Sequence, residues 1–213
     1  MLMKKLIPFL SGILVTILII FILWYTRNFV ILNSLNRKAQ ETSKIENYTI
    51  QCTSYADTTY SIAEAYYMKN KSWNVNTTYY TASSQTPSSI KVYKDQDSAI
   101  TLYTRNETTS VKLAEEPFGR IAMFNPLENQ NLFSLALQNI SREMCNGKDC
   151  YSLCVNNIRY WIDNETGLTI RILNLQEYSK QHSAVLADYQ YTFNHVTDEN
   201  IVKPDISNYT ILP

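Results

Sequence analysis

The strongest constraint on this chain is its run of twenty uncharged residues at positions 6–25, LIPFLSGILVTILIIFILWY. A helix needs about 20 predominantly apolar residues to cross the hydrocarbon core of a bilayer. The run therefore predicts a transmembrane helix over residues 6–26, preceded by a short cytoplasmic N-terminus at residues 1–5. The rest of the chain then lies on one side of a membrane.

A secretory signal peptide is the alternative for this run, because Lys4 and Lys5 precede it. An uncleaved anchor is favoured, since the run exceeds a typical signal core of roughly 7–15 residues and no A-x-A-like cleavage site follows. Basic residues flank the run on both sides, so their count does not decide the orientation. Long domains translocate largely regardless of charge, and we expect a single-pass cell-membrane protein with its C-terminal part extracytoplasmic.

Residues 27–46 continue the helical pattern beyond the predicted span and then become polar. Phe29, Leu32 and Leu35 are apolar, whereas the second half of the segment is rich in charged and amide side chains. This pattern predicts a solvated helical stalk. A partner-binding helix is the alternative, although the segment holds few heptads.

The composition of the remaining chain, residues 47–213, favours β-sheet. The protein has 16 Tyr and only 4 Gly, together with many Thr, Ser and Asn residues, a balance typical of half-exposed strands. Short turn-prone connections join the first strand-like segments, and short connections predict an antiparallel meander. These segments are 48–55, 61–69, 72–80, 88–94, 99–103 and 108–114.

Alternation within residues 72–80 predicts how the sheet packs. Trp73, Val75 and Tyr79 share one face of this strand, while Asn74 and Asn76 share the other. We therefore expect the aromatic face to be covered and the amide face to be wet, as in a sheet that packs on one side only.

One helix is predicted inside the β-rich region. Asn125 and Pro126 are typical of an N-cap and a first helical position, and an apolar face follows at Leu132, Leu135 and beyond. We expect this helix to cover the sheet, with a ligand-gating lid as the alternative. Residues 160–171 then predict a β-hairpin whose turn contains Gly167. The fold class is thus α+β, mainly antiparallel β.

Three segments resemble the LolA/LppX-like superfamily of extracytoplasmic proteins, including its uncharacterised Gram-positive membrane-anchored relatives. They read YYMKNKSWNVNTTYY, YWIDNETGLTIRI and YTFNHVTDENIVKPDIS. The resemblance implies a curved antiparallel sheet, an unclosed half-barrel covered by one or more helices. The better-known members of this superfamily carry lipids or lipid-modified proteins in that half-barrel cavity, and a sister group senses such cargo. The resemblance supplies no catalytic residue, and the predicted tether distinguishes this chain from the free carriers.

The resulting expectation is a membrane-anchored binding protein that holds a lipid or a lipoprotein acyl chain in the half-barrel cavity. The alternative is a structural or sensory envelope ectodomain that binds another protein without a small-molecule ligand, through a sheet face or edge. Ordinary core packing is the alternative role for the expected apolar lining. That lining comprises Trp73, Val75, Tyr79, Val92, Leu102, Leu132, Leu135, Tyr191 and Phe193.

Four cysteines, Cys52, Cys145, Cys150 and Cys154, form an even set in a domain expected outside the cytoplasm. Disulfides are the expected state in that compartment. Cys145 with Cys150 around an Asn-Gly turn, and Cys52 with Cys154, is one of three possible connectivities. A zinc site is the alternative, but the spacing lacks the usual paired C-x-x-C units.

No pattern of catalytic residues accompanies the two histidines, His182 and His195. Neither lies in a G-x-S-x-G or H-E-x-x-H motif, so we expect no enzyme, no cofactor and no metal. The 19 basic and 19 acidic residues balance, which argues against a nucleic-acid partner. The expected partners are the membrane, a lipid or lipoprotein ligand, and another envelope protein.

Overall fold

A computed structural model describes residues 2–56, 59–80, 86–96, 98–105, 108–114, 122–176 and 185–212. Its described elements include one long helix, a single α-helical turn, a short 3₁₀ helix at Asp198–Asn200 and twelve strands. The α-helices are α1 (Leu2–Thr42) and α2 (Leu132–Leu135). The strands are β1 (Tyr48–Ala56), β2 (Thr59–Met68), β3 (Lys71–Tyr80), β4 (Ser88–Lys94), β5 (Ala99–Arg105), β6 (Thr108–Ala114), β7 (Ser141–Cys145), β8 (Lys148–Val155), β9 (Ile158–Asp163), β10 (Thr169–Asn174), β11 (Val185–Phe193) and β12 (Thr210–Ile211).

The twelve strands form one open sheet in the order β12-β6-β5-β4-β3-β2-β1-β11-β10-β9-β8-β7. All these neighbours pair antiparallel except β12 and β6, which are parallel. The predicted meander is confirmed, because β1 to β6 follow one another in sheet order as they do in sequence. The α+β, mainly antiparallel class is confirmed at this level.

Two predicted turns are also present. Asn146 and Gly147 connect β7 to β8 with φ values of 50° and 76°, the left-handed pair that a tight hairpin requires. Asp163 begins the β9–β10 turn, in which Gly167 has a φ of 73°. The side chain of Asp163 accepts hydrogen bonds from the backbone N–H of Glu165 and the hydroxyl of Thr166, both at 3.0 Å.

The sheet curls at its β7 end. Asn146 lies in the turn between β7 and β8, yet its side-chain amide donates a hydrogen bond of 3.2 Å to the carboxylate of Asp188 on β11. Two strands, β9 and β10, lie between β8 and β11 in sheet order. Neighbouring strands lie about 4.8 Å apart, so β8 and β11 of a flat sheet would be separated by roughly 14 Å.

The segment predicted as a solvated stalk packs against the sheet. It is helical as far as Thr42, but Leu32 and Leu35 are fully buried with Leu153 and Ile162 of the sheet. Burial of these leucines removes apolar surface from water. The end of α1 is fixed by polar contacts too, since the Thr42 hydroxyl donates to the carbonyl of Thr166 at 2.9 Å.

The predicted helix from Asn125 onwards is reduced to the single turn α2. Its N-cap is Asn131, whose side chain accepts from the backbone N–H groups of Phe133 and Ser134. Asn125 instead accepts from the backbone N–H of Leu127 at 3.0 Å, which forms a local turn. Asn129 then takes a left-handed φ of 60°, and that conformation ends the turn before a helix can propagate.

The C-terminal segment, residues 194–212, packs against β4 and β5. Val196 and Ile201 are buried against Tyr93, Ile100 and Leu102. The segment then ends in β12, which adds to the β6 edge. Different parts of the sheet are therefore packed by different elements.

Candidate functional site

The two faces of the sheet are defined by strand register. On the helix face, Ile50 lies beside Ala65, Asn74, Val92 and Thr101 in one row across β1 to β5. Ile50 and Ala65 belong to the same buried cluster as Ala39 of α1. We call the opposite side the outer face, and on β3 it carries Trp73, Val75 and Tyr79.

The residues expected to line an apolar cavity do not share one surface. Trp73 and Leu102 lie on the outer face and pack with the C-terminal segment. Val92 lies on the helix face of β4. On the outer face of β3, Tyr79 stacks on Tyr60 with ring centroids 4.8 Å apart.

The other expected lining residues belong to the packing around α1 and α2. Tyr191 and Phe193 pack in the cluster that contains Ala39, whereas Leu132 and Leu135 pack near Leu32 of α1. Within the described structure, six of the nine sequence-predicted residues are thus divided among three clusters, and the other three, Val75, Tyr79 and Val92, lie on two different faces of the sheet.

Burial along β3 departs from the expectation at Asn74, whereas Asn76 on the same face is exposed as expected. Asn74, expected to be wet, is only 3% exposed, while Trp73 and Val75 are half-buried. The Nδ2 and Oδ1 atoms of Asn74 are both buried without a hydrogen-bond partner. An unsatisfied buried amide costs about 1–3 kcal/mol, so its presence requires an explanation.

A cavity of about 530 Å³ lies one row from Asn74, at the end of the sheet where α1 finishes. We call it the distal cavity. Two hairpin turns, β2–β3 and β4–β5, frame it together with the segment that joins α1 to β1. Its lining residues are Ser43, Ile45, Glu46, Tyr48, Tyr67, Met68, Lys69, Asn70, Lys71, Ser72, Lys94, Asp95 and Gln96.

One row of the helix face forms the cavity wall nearest to Asn74. Tyr48, Tyr67, Ser72 and Lys94 are successive register partners across β1 to β4. The rings of Tyr48 and Tyr67 stack with centroids 4.6 Å apart. The wall therefore combines an aromatic surface with a hydroxyl and an ammonium group.

Cationic side chains surround the cavity, and two of the three are paired. Lys71 lies 3.0 Å from Asp198, and this hydrogen-bonded carboxylate raises the pKa of Lys71 above its ordinary value. Lys69 lies 3.9 Å from Glu46. Lys94 has no ion pair within the described ranges, which leaves its charge available to a ligand.

Sequence reasoning missed this site, although a signal for it was present. The turn sequences Lys69-Asn70-Lys71 and Lys94-Asp95-Gln96 lie two hairpins apart. Alternate turns of an antiparallel meander lie at the same end of a sheet. The spacing of these lysine-containing turns thus brings their charges together.

The four cysteines are free thiols, so the expected disulfides are absent from the structure. In sheet order, three strands lie between Cys52 on β1 and Cys154 on β8. Cys145 and Cys150 are both buried in one cluster. Burial raises the pKa of the Cys150 thiol to about 12.

Neither a metal centre nor a histidine site is found where the structure is described. No group of three His, Cys, Asp or Glu residues there could hold a metal ion. His195 is exposed beyond the end of β11, and His182 lies outside the described residues.

Residues 10–23 of α1 are mostly apolar and exposed. Among the described residues, α1 is the one helix long and apolar enough to cross a membrane, with a mean hydropathy of 2.0 over its most apolar window. Leu14 and Leu23, near the two ends of the exposed part, are 69% and 65% exposed.

The sequence matches no protein-family model and no curated protein. Among solved structures, an uncharacterised conserved protein from Thermus thermophilus matches with a TM-score of 0.46 and 7% identity. The match covers 84% of this chain and 97% of that protein.

Proposed function

We propose that this protein is a membrane-anchored, extracytoplasmic, non-enzymatic binding protein whose ligand occupies the distal cavity. The ligand is amphipathic, a lipid or the acylated end of a lipoprotein with an anionic group. The observation that carries the proposal is the distal cavity itself, where the stacked rings of Tyr48 and Tyr67 share a wall with Lys94. The buried, unpartnered amide of Asn74 does not line the cavity but lies in the next row of the same face. Natural proteins tolerate such destabilising groups at functional sites.

The cavity lining supports a ligand of mixed character. Tyr48, Tyr67 and Met68 offer apolar surface, while Lys94 offers a cation without an ion pair among the described residues. Small-molecule sites commonly measure about 300–1,000 Å³ and combine apolar walls with a few polar groups. A cavity of about 530 Å³ lies in this range.

The half-barrel of the LolA/LppX-like superfamily is part of the same proposal. Asn74, Val92 and Thr101 are buried on the helix face of β3 to β5, although they belong to neither of the clusters that contain residues of α1. A concave sheet would bury this row between its own neighbouring strands. Such a concavity would continue the distal cavity into the sheet.

The test is native mass spectrometry of the full-length protein in mild detergent. A retained adduct of lipid mass on the wild type is expected. Lys94→Gln should lose most of that adduct because it removes the unpaired charge, and Asn74→Leu should lose it because it removes the amide. Lys91→Gln is the matched control, since Lys91 is also half-buried on β4 but faces the opposite side.

A bare wild-type protein, or an adduct that survives both the Lys94 and the Asn74 substitution, would count against the proposal. Binding of another envelope protein would then be the better-supported function. It has its own support, because β7 is an edge strand and its Met144 is highly exposed. Edge strands can pair with a strand of a partner. Crosslinking at Met144 in native membranes would test it.

A further inference from the structure

An exposed apolar surface surrounds the point where α1 leaves the folded domain. Phe133 and Leu137, in and just after α2, are 63% and 54% exposed. Residues 132–140 contain no charged side chain. Single exposed apolar residues are common on proteins, but these two lie close in sequence, next to the exposed apolar part of α1.

Contacts with α1 fix the position of this surface. The ring of Phe133 stacks on that of Phe29 with centroids 4.7 Å apart, and the Tyr25 hydroxyl donates to the carbonyl of Phe133. Asn28 is fully buried, and its amide donates to the carbonyls of Ala136 and Gln138, each at 3.1 Å. The α2 turn is therefore held against α1 at the level of residues 25–29.

This level corresponds to the headgroup layer of a membrane. If the apolar run ends at Tyr25 at the edge of the hydrocarbon core, Phe29 lies about 6 Å farther along the helix axis. Each polar headgroup layer is roughly 5–8 Å thick. Phe133, stacked on Phe29, lies within that layer, and the exposed Arg27 lies at the same depth, where anionic headgroups attract cations.

We propose that Phe133 and Leu137 insert into the outer leaflet and seat the domain directly on the bilayer. This inference rests on the membrane anchoring in the proposed function. The occupant is lipid, because the surface is continuous with the apolar helix and because no linker separates the domain from the span. The distal cavity then opens away from the membrane, at the far end of α1.

The experiment is site-specific photocrosslinking of the full-length protein in vesicles of phosphatidylethanolamine and phosphatidylglycerol. Phe133→p-benzoylphenylalanine and Leu137→p-benzoylphenylalanine should each yield a lipid adduct by mass spectrometry. The matched control is Val202→p-benzoylphenylalanine. Val202 is 64% exposed but adjoins Lys203, which contacts the β4–β5 turn at the distal end, so it should yield no lipid adduct.

A fourth position separates failure of this inference from failure of the anchor. Ile20→p-benzoylphenylalanine lies within the predicted span and should crosslink to lipid. Adducts at position 20 without adducts at positions 133 and 137 would overturn the membrane-seated surface and leave the anchor intact. No adduct at position 20 would overturn both. Equal adducts at positions 133 and 202 would also overturn the inference, because they would show no preference for the α2 surface.

Discussion

Gly167 lies directly against Leu35 of α1. A Cβ atom at position 167 would come within 2.5 Å of the backbone nitrogen of Ala39 and closer still to the carbonyl oxygen of Leu35. The φ of Gly167 is also 73°, which other residues adopt only with strain. The backbone of the β9–β10 turn thus lies in direct contact with the backbone of α1.

Gly167→Ala should destabilise the protein by several kcal/mol, since overpacking costs about 1–3 kcal/mol and the left-handed conformation a further 1–2 kcal/mol, approximately. Gly147→Ala is the matched control. Gly147 has a φ of 76°, but no atom lies within 4 Å of the place that a Cβ would take there, so only the conformational cost should remain. Thermal unfolding measures the loss of stability in both variants. Equal losses would mean that α1 does not pack tightly against Gly167.

Removal of α1 should abolish folding of the β domain. A chain of residues 26–213 keeps Leu32 and Leu35, which are 0% and 1% exposed, and should unfold cooperatively. A chain of residues 47–213 loses both leucines and exposes the surface that they cover. Each buried leucine contributes about 2–5 kcal/mol, a large share of a typical domain stability of roughly 5–15 kcal/mol. Near-ultraviolet circular dichroism should distinguish the two, and native packing in the shorter chain would contradict this role of α1.

Strand positions were predictable from sequence, but coverage of the sheet was not. Residues 88–94 and 108–114 coincide with β4 and β6, because alternation and turn residues act locally. The Trp73 face is covered as expected, by the C-terminal segment, but the opposite face is also covered at Asn74, because alternation identifies two faces without saying which element covers each. That outcome depends on α1 and on the C-terminal segment, both distant in sequence.

The predictions for the two helical segments were wrong for the same reason, because contacts between residues distant in sequence decide both. Leu32 and Leu35 looked like the end of a fading amphipathic pattern, and only the fold supplies the strands that bury them. Asn125 looked like an N-cap, but Asn129 adopts a left-handed conformation, and Asn131 caps the turn instead. The distal cavity is lined by turns that are separate in sequence, so no single sequence motif predicts it.

Asn74→Leu should stabilise the ligand-free protein by about 1–2 kcal/mol, because a leucine of similar volume removes an unsatisfied buried amide. Asn76→Leu is the control, since Asn76 shares the strand and the face but is exposed, and surface substitutions usually change stability by less than about 0.5 kcal/mol. Chemical denaturation gives both values. A hydrogen bond contributes about 1 kcal/mol net. If Asn74→Leu instead lowers the free energy of unfolding by more than about this amount, the amide has a hydrogen-bond partner in solution.

The folded protein should lose stability as the pH rises above 9. Burial raises the pKa of Cys150 from 9.0 to about 12, and burial also raises the pKa of Tyr189 and Tyr191. Between the unfolded and folded values, the unfolded chain has released these protons while the native state retains them. Stability therefore falls across this window. Tyr189→Phe, which removes one buried phenol, should reduce the fall in melting temperature between pH 9 and 12, and an unchanged profile would contradict the role of Tyr189.

Thiol alkylation should separate the four cysteines by exposure. Cys154 is half-buried, whereas Cys52, Cys145 and Cys150 are buried, so a small alkylating reagent at neutral pH should modify Cys154 first. Only the thiolate is a good nucleophile, and the raised pKa of Cys150 adds to its protection. Peptide mass spectrometry after timed quenching gives the order, and denaturant should make all four cysteines react. Resistance of Cys145 and Cys150 in denaturant, reversed by a reductant, would instead reveal a disulfide between them and contradict the free thiols of the structure.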